Sequence, residues 1–143
     1  MLDNTSKNLV YTVRCHPKGI SCLSMHASGQ FLIAGSEDGS WSLNDIENQQ
    51  LIVQEHLGEP ITAIEFHPDG LIFCIGLASG QIRLYDIRTQ KMAQELQSVH
   101  GSPVKKIGFS NKGIHMAVLW QSQPTCRIFS LHKNCDFVDL KHS

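Results

Sequence analysis

A turn motif recurs three times along the chain and gives the sequence an internal period. It reads HASG at residues 26–29, HPDG at 67–70 and SNKG at 110–113, and the closing glycines lie 41 and 43 residues apart. Pro, Asp, Asn and Ser favour such turns, and the glycine can adopt the positive φ that many of them require. Self-similarity at a fixed period is the signature of a repeat architecture, so this feature constrains the fold more than any other.

The flanks of the three turns repeat in the same register. An alternating stretch precedes each turn, and a mostly apolar run, a second turn and a third apolar stretch follow it. A histidine begins each copy, at His16, His56 and His100. The alternating apolar positions are Ile20, Leu23 and Met25, then Ile61, Ile64 and Phe66, then Val104, Ile107 and Phe109. Short strands that repeat about every 40–45 residues are typical of four-stranded propeller blades.

The periodicity therefore predicts an all-β fold, a partial β-propeller of about three four-stranded antiparallel blades with at least eleven strands and almost no helix. The expected blades within residues 1–143 are 16–55, 56–97 and 100–140. Residues 9–13 alternate like a strand and precede His16, so we expect them to form one extra N-terminal outer strand that belongs to a preceding blade.

The outer strand of blade two has a competing interpretation. Met92, Leu96 and Val99 stand at helical spacing with good helix formers between them. We favour a strand, because the corresponding stretches of the other copies are too short and too β-branched to be helical.

These features together resemble the WD-repeat family: a histidine before the first strand, an Asp-Gly turn between the second and third strands, and an aromatic-Asp pair that ends the third. The pair at 85–86 (Tyr-Asp) is closest to the family pattern, whereas 44–45 (Asn-Asp) lacks the aromatic residue and 129–130 (Phe-Ser) lacks the Asp. The sequences of the first two copies further resemble the propellers of the pre-mRNA-processing factor nineteen family, in the stretches 23–29, 66–73 and 81–86.

The second resemblance implies a nuclear, spliceosome-associated ubiquitin ligase whose U-box and coiled coil lie upstream of a propeller. Neither segment has a counterpart in these 143 residues, so the chain is expected to be a non-catalytic piece of the partner- or substrate-binding end. The alternative is a WD-repeat adaptor of another intracellular complex, nuclear or cytoplasmic, that is unrelated to splicing.

The WD-repeat resemblance also implies a hydrogen-bonded chain of His, Ser or Thr, Asp and Trp that ties the strands of one blade together. In the first copy Asn44 stands where the Trp is expected. The positions carried over are His16, Asp38, His56, Ser79, Tyr85, His100, Ser122 and Phe129. We interpret these histidines as structural, because no GxSxG elbow accompanies them and an unpaired buried polar group costs about 1–3 kcal/mol.

Loops on a rigid frame are where binding residues concentrate. The turn before each first strand and the turn after each second strand are expected to share one rim of the propeller. The candidate partner-binding residues on this rim are Lys18, Glu37, Glu59, Ala78, Ser102 and Gln121.

Charge and cysteine patterns exclude several function classes. Lys and Arg number 12 against 13 Asp and Glu, without a basic stripe, so the expected partners are proteins and not nucleic acids. No apolar run approaches the roughly 18 residues that span a bilayer, so no membrane partner is expected. The five cysteines include no CxxC pair, which favours reduced thiols and neither a metal site nor a cofactor. Trp41 and Trp120 are interpreted as packing residues.

Three blades cannot close a ring, since propellers typically contain 4–8. Both ends of the stack are expected to expose apolar blade faces. We therefore expect a fragment of a larger propeller that self-associates when alone in solution.

Overall fold

Twelve strands form three antiparallel sheets in the computed structural model, which describes residues 9–96, 101–131 and 137–140. Blade one contains β1 (Cys22–Met25), β2 (Phe31–Gly35), β3 (Ser40–Asp45) and β4 (Gln50–His56). Blade two contains β5 (Ile61–Phe66), β6 (Ile72–Leu77), β7 (Ile82–Asp86) and β8 (Met92–Leu96). Blade three contains β9 (Val104–Phe109), β10 (His115–Trp120), β11 (Cys126–Leu131) and β12 (Phe137–Leu140).

The predicted all-β class is confirmed, and the described part of the chain contains no helix. In each sheet the four strands pair in chain order. The ambiguous stretch of blade two is a strand, β8, that pairs with β7. The described residues likewise contain no helix long and apolar enough to cross a membrane.

Strand β5 contacts both β1 and β9. The blades therefore stack face to face, with their first strands side by side. Every residue of β6 is buried, since blade two has a neighbour on each face and needs apolar residues on both. The core between blades one and two contains Ile33, Trp41, Leu43, Ile61, Ile64, Phe66, Phe73, Ile75, Leu77 and Tyr85. The core between blades two and three contains Ala63, Ile72, Cys74, Ile82, Leu84, Val104, Ile107, Met116, Val118, Trp120 and Phe129.

Both tryptophans are packing residues, as predicted. The Trp41 ring lies 5.1 Å from the Phe73 ring and 5.4 Å from the Tyr85 ring, and those two rings stack at 5.3 Å. The Trp120 indole Nε1 donates a hydrogen bond of 2.9 Å to the carbonyl of Gly80. Each indole therefore joins two blades, and neither is an exposed stacking platform.

The expected outer strand at residues 9–13 is wrong, because these residues lie outside every strand. A strand forms only where it can pair with the edge of a sheet. The third strand of blade one already pairs with β4, and no free third strand lies beside residues 9–13 in the described part of the chain. The segment is instead held by side chains: the Tyr11 hydroxyl donates a 2.9 Å hydrogen bond to Asn44 Oδ1.

Candidate protein-binding rim and blade networks

Blade one contains the hydrogen-bonded chain that the WD-repeat resemblance implies. Both ring nitrogens of the buried His16 are used, since Nδ1 lies 2.7 Å from Ser40 Oγ and Nε2 lies 2.7 Å from Ser42 Oγ. The Ser40 hydroxyl donates to Asp38 Oδ1 at 2.6 Å, and the Ser40 backbone N–H donates to the same oxygen at 2.8 Å. His16 therefore ties the loop before β1 to the turn before β3.

The chain continues past Ser42 to Asn44, at the position where the family has Trp. Asn44 Nδ2 donates to Ser42 Oγ at 2.9 Å, which leaves the Ser42 hydroxyl hydrogen available for His16 Nε2 at 2.7 Å. Since the Ser40 hydroxyl hydrogen is directed to Asp38, His16 Nδ1 must donate to Ser40. In the neutral form that burial favours, His16 therefore carries its proton on Nδ1, and its Nε2 accepts from Ser42.

The electrostatics agree with this assignment. Burial lowers the pKa of His16, although the nearby Asp38 acts in the opposite direction. The hydrogen bonds from Ser40 hold the pKa of the Asp38 carboxyl below its ordinary value. A second proton on His16 Nε2 would also remove the acceptor of the Ser42 hydroxyl.

We predict that blade one loses stability on acidification because of His16. The folded-state pKa is lowered, so the unfolded chain takes up the proton first, at about pH 6.5. The stability of the neutral network is present above that pH and is lost as the pH falls below it. The free energy of unfolding should drop more between pH 7.5 and 5.5 in the wild type than in His16→Gln.

The control is His115→Gln, which removes an exposed histidine of blade three and should keep the drop seen in the wild type. The free energy of unfolding is measured by urea titration at both pH values. An equal drop in His16→Gln and in the wild type would contradict the assignment of a neutral His16.

Blade two does not contain the expected network. His56 is the exposed last residue of β4, and its side chain makes no hydrogen bond within the described residues. The Ser79 turn is held by Glu59 instead, whose Oε1 accepts the Ser79 backbone N–H at 2.8 Å. Tyr85 lies in the core beside Trp41, and burial raises its pKa. The expectation fails because His56 lies exposed at the end of β4, while Glu59 holds the Ser79 turn.

Blade three also departs from the expected pattern. The Ser122 backbone N–H donates to Ser102 Oγ at 3.4 Å, so a serine holds this turn. Phe129 is 2% exposed and packs in the core between blades two and three. His100 lies outside the described residues.

The two sets of turns proposed as a rim meet at one end of the stack. The Ala78 N–H donates to the Pro60 carbonyl at 3.0 Å, and the Gln121 N–H donates to the Pro103 carbonyl at 2.9 Å. Each bond joins the turn before a first strand to the turn after the second strand of the same blade. We call this end of the stack the loop rim.

The candidate residues on the loop rim differ in accessibility. Lys18, Glu37 and Gln121 are exposed, and Glu59 and Ala78 are half-buried. Ser102 is buried, and its hydroxyl accepts from the Ser122 N–H, so it offers little surface to a partner. Short polar side chains in such turns satisfy the backbone, which is why the sequence pattern alone did not separate Ser102 from the others.

Two histidines at the opposite end of the stack were not predicted as structural residues. His26 Nε2 lies 3.1 Å from the Gly70 carbonyl, and His67 Nε2 lies 2.8 Å from the Gly113 carbonyl. We call each contact a clasp, since each joins the first turn of one blade to the first turn of the next. The sequence contains a signal for these contacts, because a histidine is the first residue of two of the three repeated turns.

Comparisons with known proteins give the chain its relatives. The family model described as nucleolar protein 10-like, N-terminal domain, matches residues 5–143. The chain is 33% identical to pre-mRNA-processing factor 19 of Mus musculus over 111 residues, which are 76% of this chain and 21% of that protein. It is 29% identical to pre-mRNA-processing factor 19 of Oryza sativa subsp. japonica over 113 residues, or 77% of this chain and 21% of that protein.

A relative named pre-mRNA-processing factor 19 homolog 2, of Arabidopsis thaliana, is 25% identical over 130 residues, or 89% of this chain and 24% of that protein. The chain thus spans between a fifth and a quarter of the length of these curated relatives. These matches confirm the resemblance to the pre-mRNA-processing factor nineteen family that the repeated sequence indicated. Since the family model covers nearly every residue, the chain belongs to the family of nucleolar protein 10-like N-terminal β-propeller domains.

Proposed function

We propose that this chain is a non-catalytic protein-binding scaffold. In this proposal it forms part of the partner- or substrate-binding propeller of a nuclear, spliceosome-associated ubiquitin ligase complex. The observation that carries the proposal is the likeness to proteins named pre-mRNA-processing factor 19, together with a loop rim held by a rigid stack of blades. Loops on such a frame can bind a partner without a large loss of conformational entropy.

The chemistry of the buried groups supports a non-catalytic role. Both nitrogens of His16 are hydrogen-bonded to serines of its own blade, so this histidine is occupied by the fold. Burial raises the pKa of the Cys22 thiol to about 11, and it raises the pKa of Cys74 too. Neither cysteine is a thiolate near neutral pH, which is the form that nucleophilic catalysis needs.

The charge on the loop rim favours a protein partner. Lys18 and Glu37 are both exposed there, and the half-buried Glu59 lies in the turn that connects β4 to β5. Mixed charges lower the affinity for a polyanion and suit the alternating charges of a protein surface. We therefore expect partner binding that depends weakly on salt.

The test is affinity capture from nuclear extract, with the bound proteins identified by mass spectrometry. The double variant Lys18→Glu/Glu37→Lys, which keeps the net charge, should lose splicing proteins that the wild type captures after nuclease treatment. The matched control Glu47→Lys/Lys112→Glu makes the same exchange of exposed charges at the opposite end and should capture them normally.

Three outcomes would count against the proposal. Capture that disappears with nuclease would indicate binding through RNA. Equal loss in both double variants would remove the loop rim as the binding site. Capture of a complex without splicing or ubiquitin-ligase proteins would favour the alternative, an adaptor unrelated to splicing.

We also propose that the isolated chain self-associates. Ile20, Leu23 and Met25 on the open face of blade one are 40%, 59% and 52% exposed. Burial of such a patch against a second copy would remove apolar area from water. Sedimentation should show oligomers at tens of micromolar, and a stable monomer at that concentration would contradict this part of the proposal.

A further inference from the structure

Residues 11–16, here called the strap, are attached to blade one at both ends. The Tyr11 hydroxyl and, at the other end, the His16 ring bond to side chains of β3. Gln54 Nε2 of β4 also donates to the Cys15 carbonyl at 2.7 Å. The strap lies outside every strand, so contacts of side chains and not a backbone ladder hold it on the blade.

The partners of the strap lie on one side of β3. Trp41 and Leu43 belong to the core between blades one and two. Successive side chains of a strand point to opposite faces, so Ser40, Ser42 and Asn44 point away from blade two. All three polar side chains belong to residues that are 0% exposed. Buried polar groups need hydrogen-bond partners, and the strap supplies them.

The contacts between strap and blade form a chain in which each group donates in the same direction. The Tyr11 hydroxyl donates to Asn44 Oδ1 at 2.9 Å, and Asn44 Nδ2 donates to Ser42 Oγ at 2.9 Å. In the neutral form of His16, Ser42 donates to its Nε2 and its Nδ1 donates to Ser40, each at 2.7 Å. Every acceptance therefore leaves the next group free to donate onward.

The chain ends in the turn at residues 36–39, which belongs to the loop rim. The Ser40 hydroxyl donates to Asp38 Oδ1 at 2.6 Å, so the last acceptor is a carboxylate. Hydrogen bonds that point in one direction polarise one another, and a bond to a charged acceptor is stronger than a neutral one. The Tyr11 hydroxyl is thus connected through the blade to a turn of the loop rim.

The equivalent turns of the other two blades are held by different groups. Glu59 holds the Ser79 turn of blade two, and Ser102 holds the Ser122 turn of blade three. The residue of blade two that aligns with Asn44 is a tyrosine packed in the core. Among the three turns, the connection to the strap is therefore a property of the turn at residues 36–39.

We infer that the strap controls the order of the loop rim: the Tyr11 hydroxyl orders the turn at residues 36–39 through this chain, and release of the hydroxyl loosens the turn. The turn contains Glu37, an exposed residue of the proposed binding rim. A loosened turn has to be ordered again when a partner binds, which lowers the affinity. The effect on a partner rests on the proposed function, whereas the order of the turn does not.

Amide hydrogen exchange measured by mass spectrometry tests the inference on the whole chain. Tyr11→Phe removes the hydroxyl and keeps the ring. It should accelerate exchange at residues 36–41 by about threefold or more, the size expected for the loss of one hydrogen bond, and leave the Ser122 turn unchanged. The matched control Thr12→Val removes an exposed hydroxyl from the same strap and should accelerate neither segment.

An interruption of the chain tests transmission. Ser42→Ala removes the link between Asn44 and His16, so in this background Tyr11→Phe should not accelerate exchange at residues 36–41 further. A further acceleration equal to that in the wild type would overturn the inference, because the strap would then act by another route.

The comparison of Tyr11→Phe with Thr12→Val does not depend on the folding of Ser42→Ala. Unchanged exchange at residues 36–41 in Tyr11→Phe, with a wild-type circular dichroism spectrum, would overturn the inference, as would equal acceleration in Thr12→Val. These readouts involve no partner, so a failure to capture splicing proteins would leave the inference standing.

Discussion

Replacement of Phe73 by alanine is expected to lower the free energy of unfolding by about 3–5 kcal/mol. Phe73 is fully buried in the core between blades one and two. Its ring stacks on Tyr85 and lies beside Trp41 and Phe66, so the substitution removes aromatic contacts as well as apolar area. A loss of this size is a large part of the roughly 5–15 kcal/mol that stabilises a typical domain.

The measurement is urea unfolding monitored by tryptophan fluorescence, since the Trp41 ring lies against the Phe73 ring. The control is Leu71→Ala, two residues away along the chain, where the side chain is 52% exposed. This control should change stability by no more than about 0.5 kcal/mol. A loss below about 1 kcal/mol in Phe73→Ala would show that the two blades do not share this core.

Gly113→Ala is expected to cost about 1–3 kcal/mol more than Gly29→Ala. The two glycines close equivalent turns and have similar φ, +73° and +78°, so both variants carry the same cost of about 1–2 kcal/mol for a left-handed alanine. Only at Gly113 would the new Cβ collide with the ring of His67. The difference between the variants therefore measures the clasp and not the turn.

A double-mutant cycle tests the cause of this difference. In a His67→Ala background, which removes the ring, Gly113→Ala should cost no more than Gly29→Ala. A difference that persists without His67, measured by urea unfolding, would attribute the cost to the turn itself.

The repeat period predicted the blades because the information for them is local. Alternation of period two and glycines with positive φ specify strands and turns within a few residues, as at Gly29 and Gly70. The same pattern also predicted that the turns before the first strands and after the second strands lie at one end of the stack, since their position depends only on strand direction. The packing of Trp41 could be predicted because its neighbour Leu43 gives its side of the strand.

The contacts between blades were harder to predict, because they depend on which groups meet after stacking. Glu59 holds the Ser79 turn and His56 stays exposed at the end of β4, and nothing near His56 in the sequence indicates this arrangement. The two clasps join residues 44 and 46 positions apart, so neither lies within a single turn or strand. The segment at residues 9–13 has the alternation of a strand but no sheet edge with which to pair.

If a rigid stack of blades presents the loop rim to a protein partner, site-specific photo-crosslinking should capture that partner from the rim. A photoreactive amino acid replaces Gln121 on the loop rim or Lys112 at the opposite end, both exposed positions of blade three. After irradiation in nuclear extract, we expect nuclease-resistant cross-links to protein from position 121 and few from position 112. Cross-links to RNA, or equal protein cross-links from both positions, would contradict it.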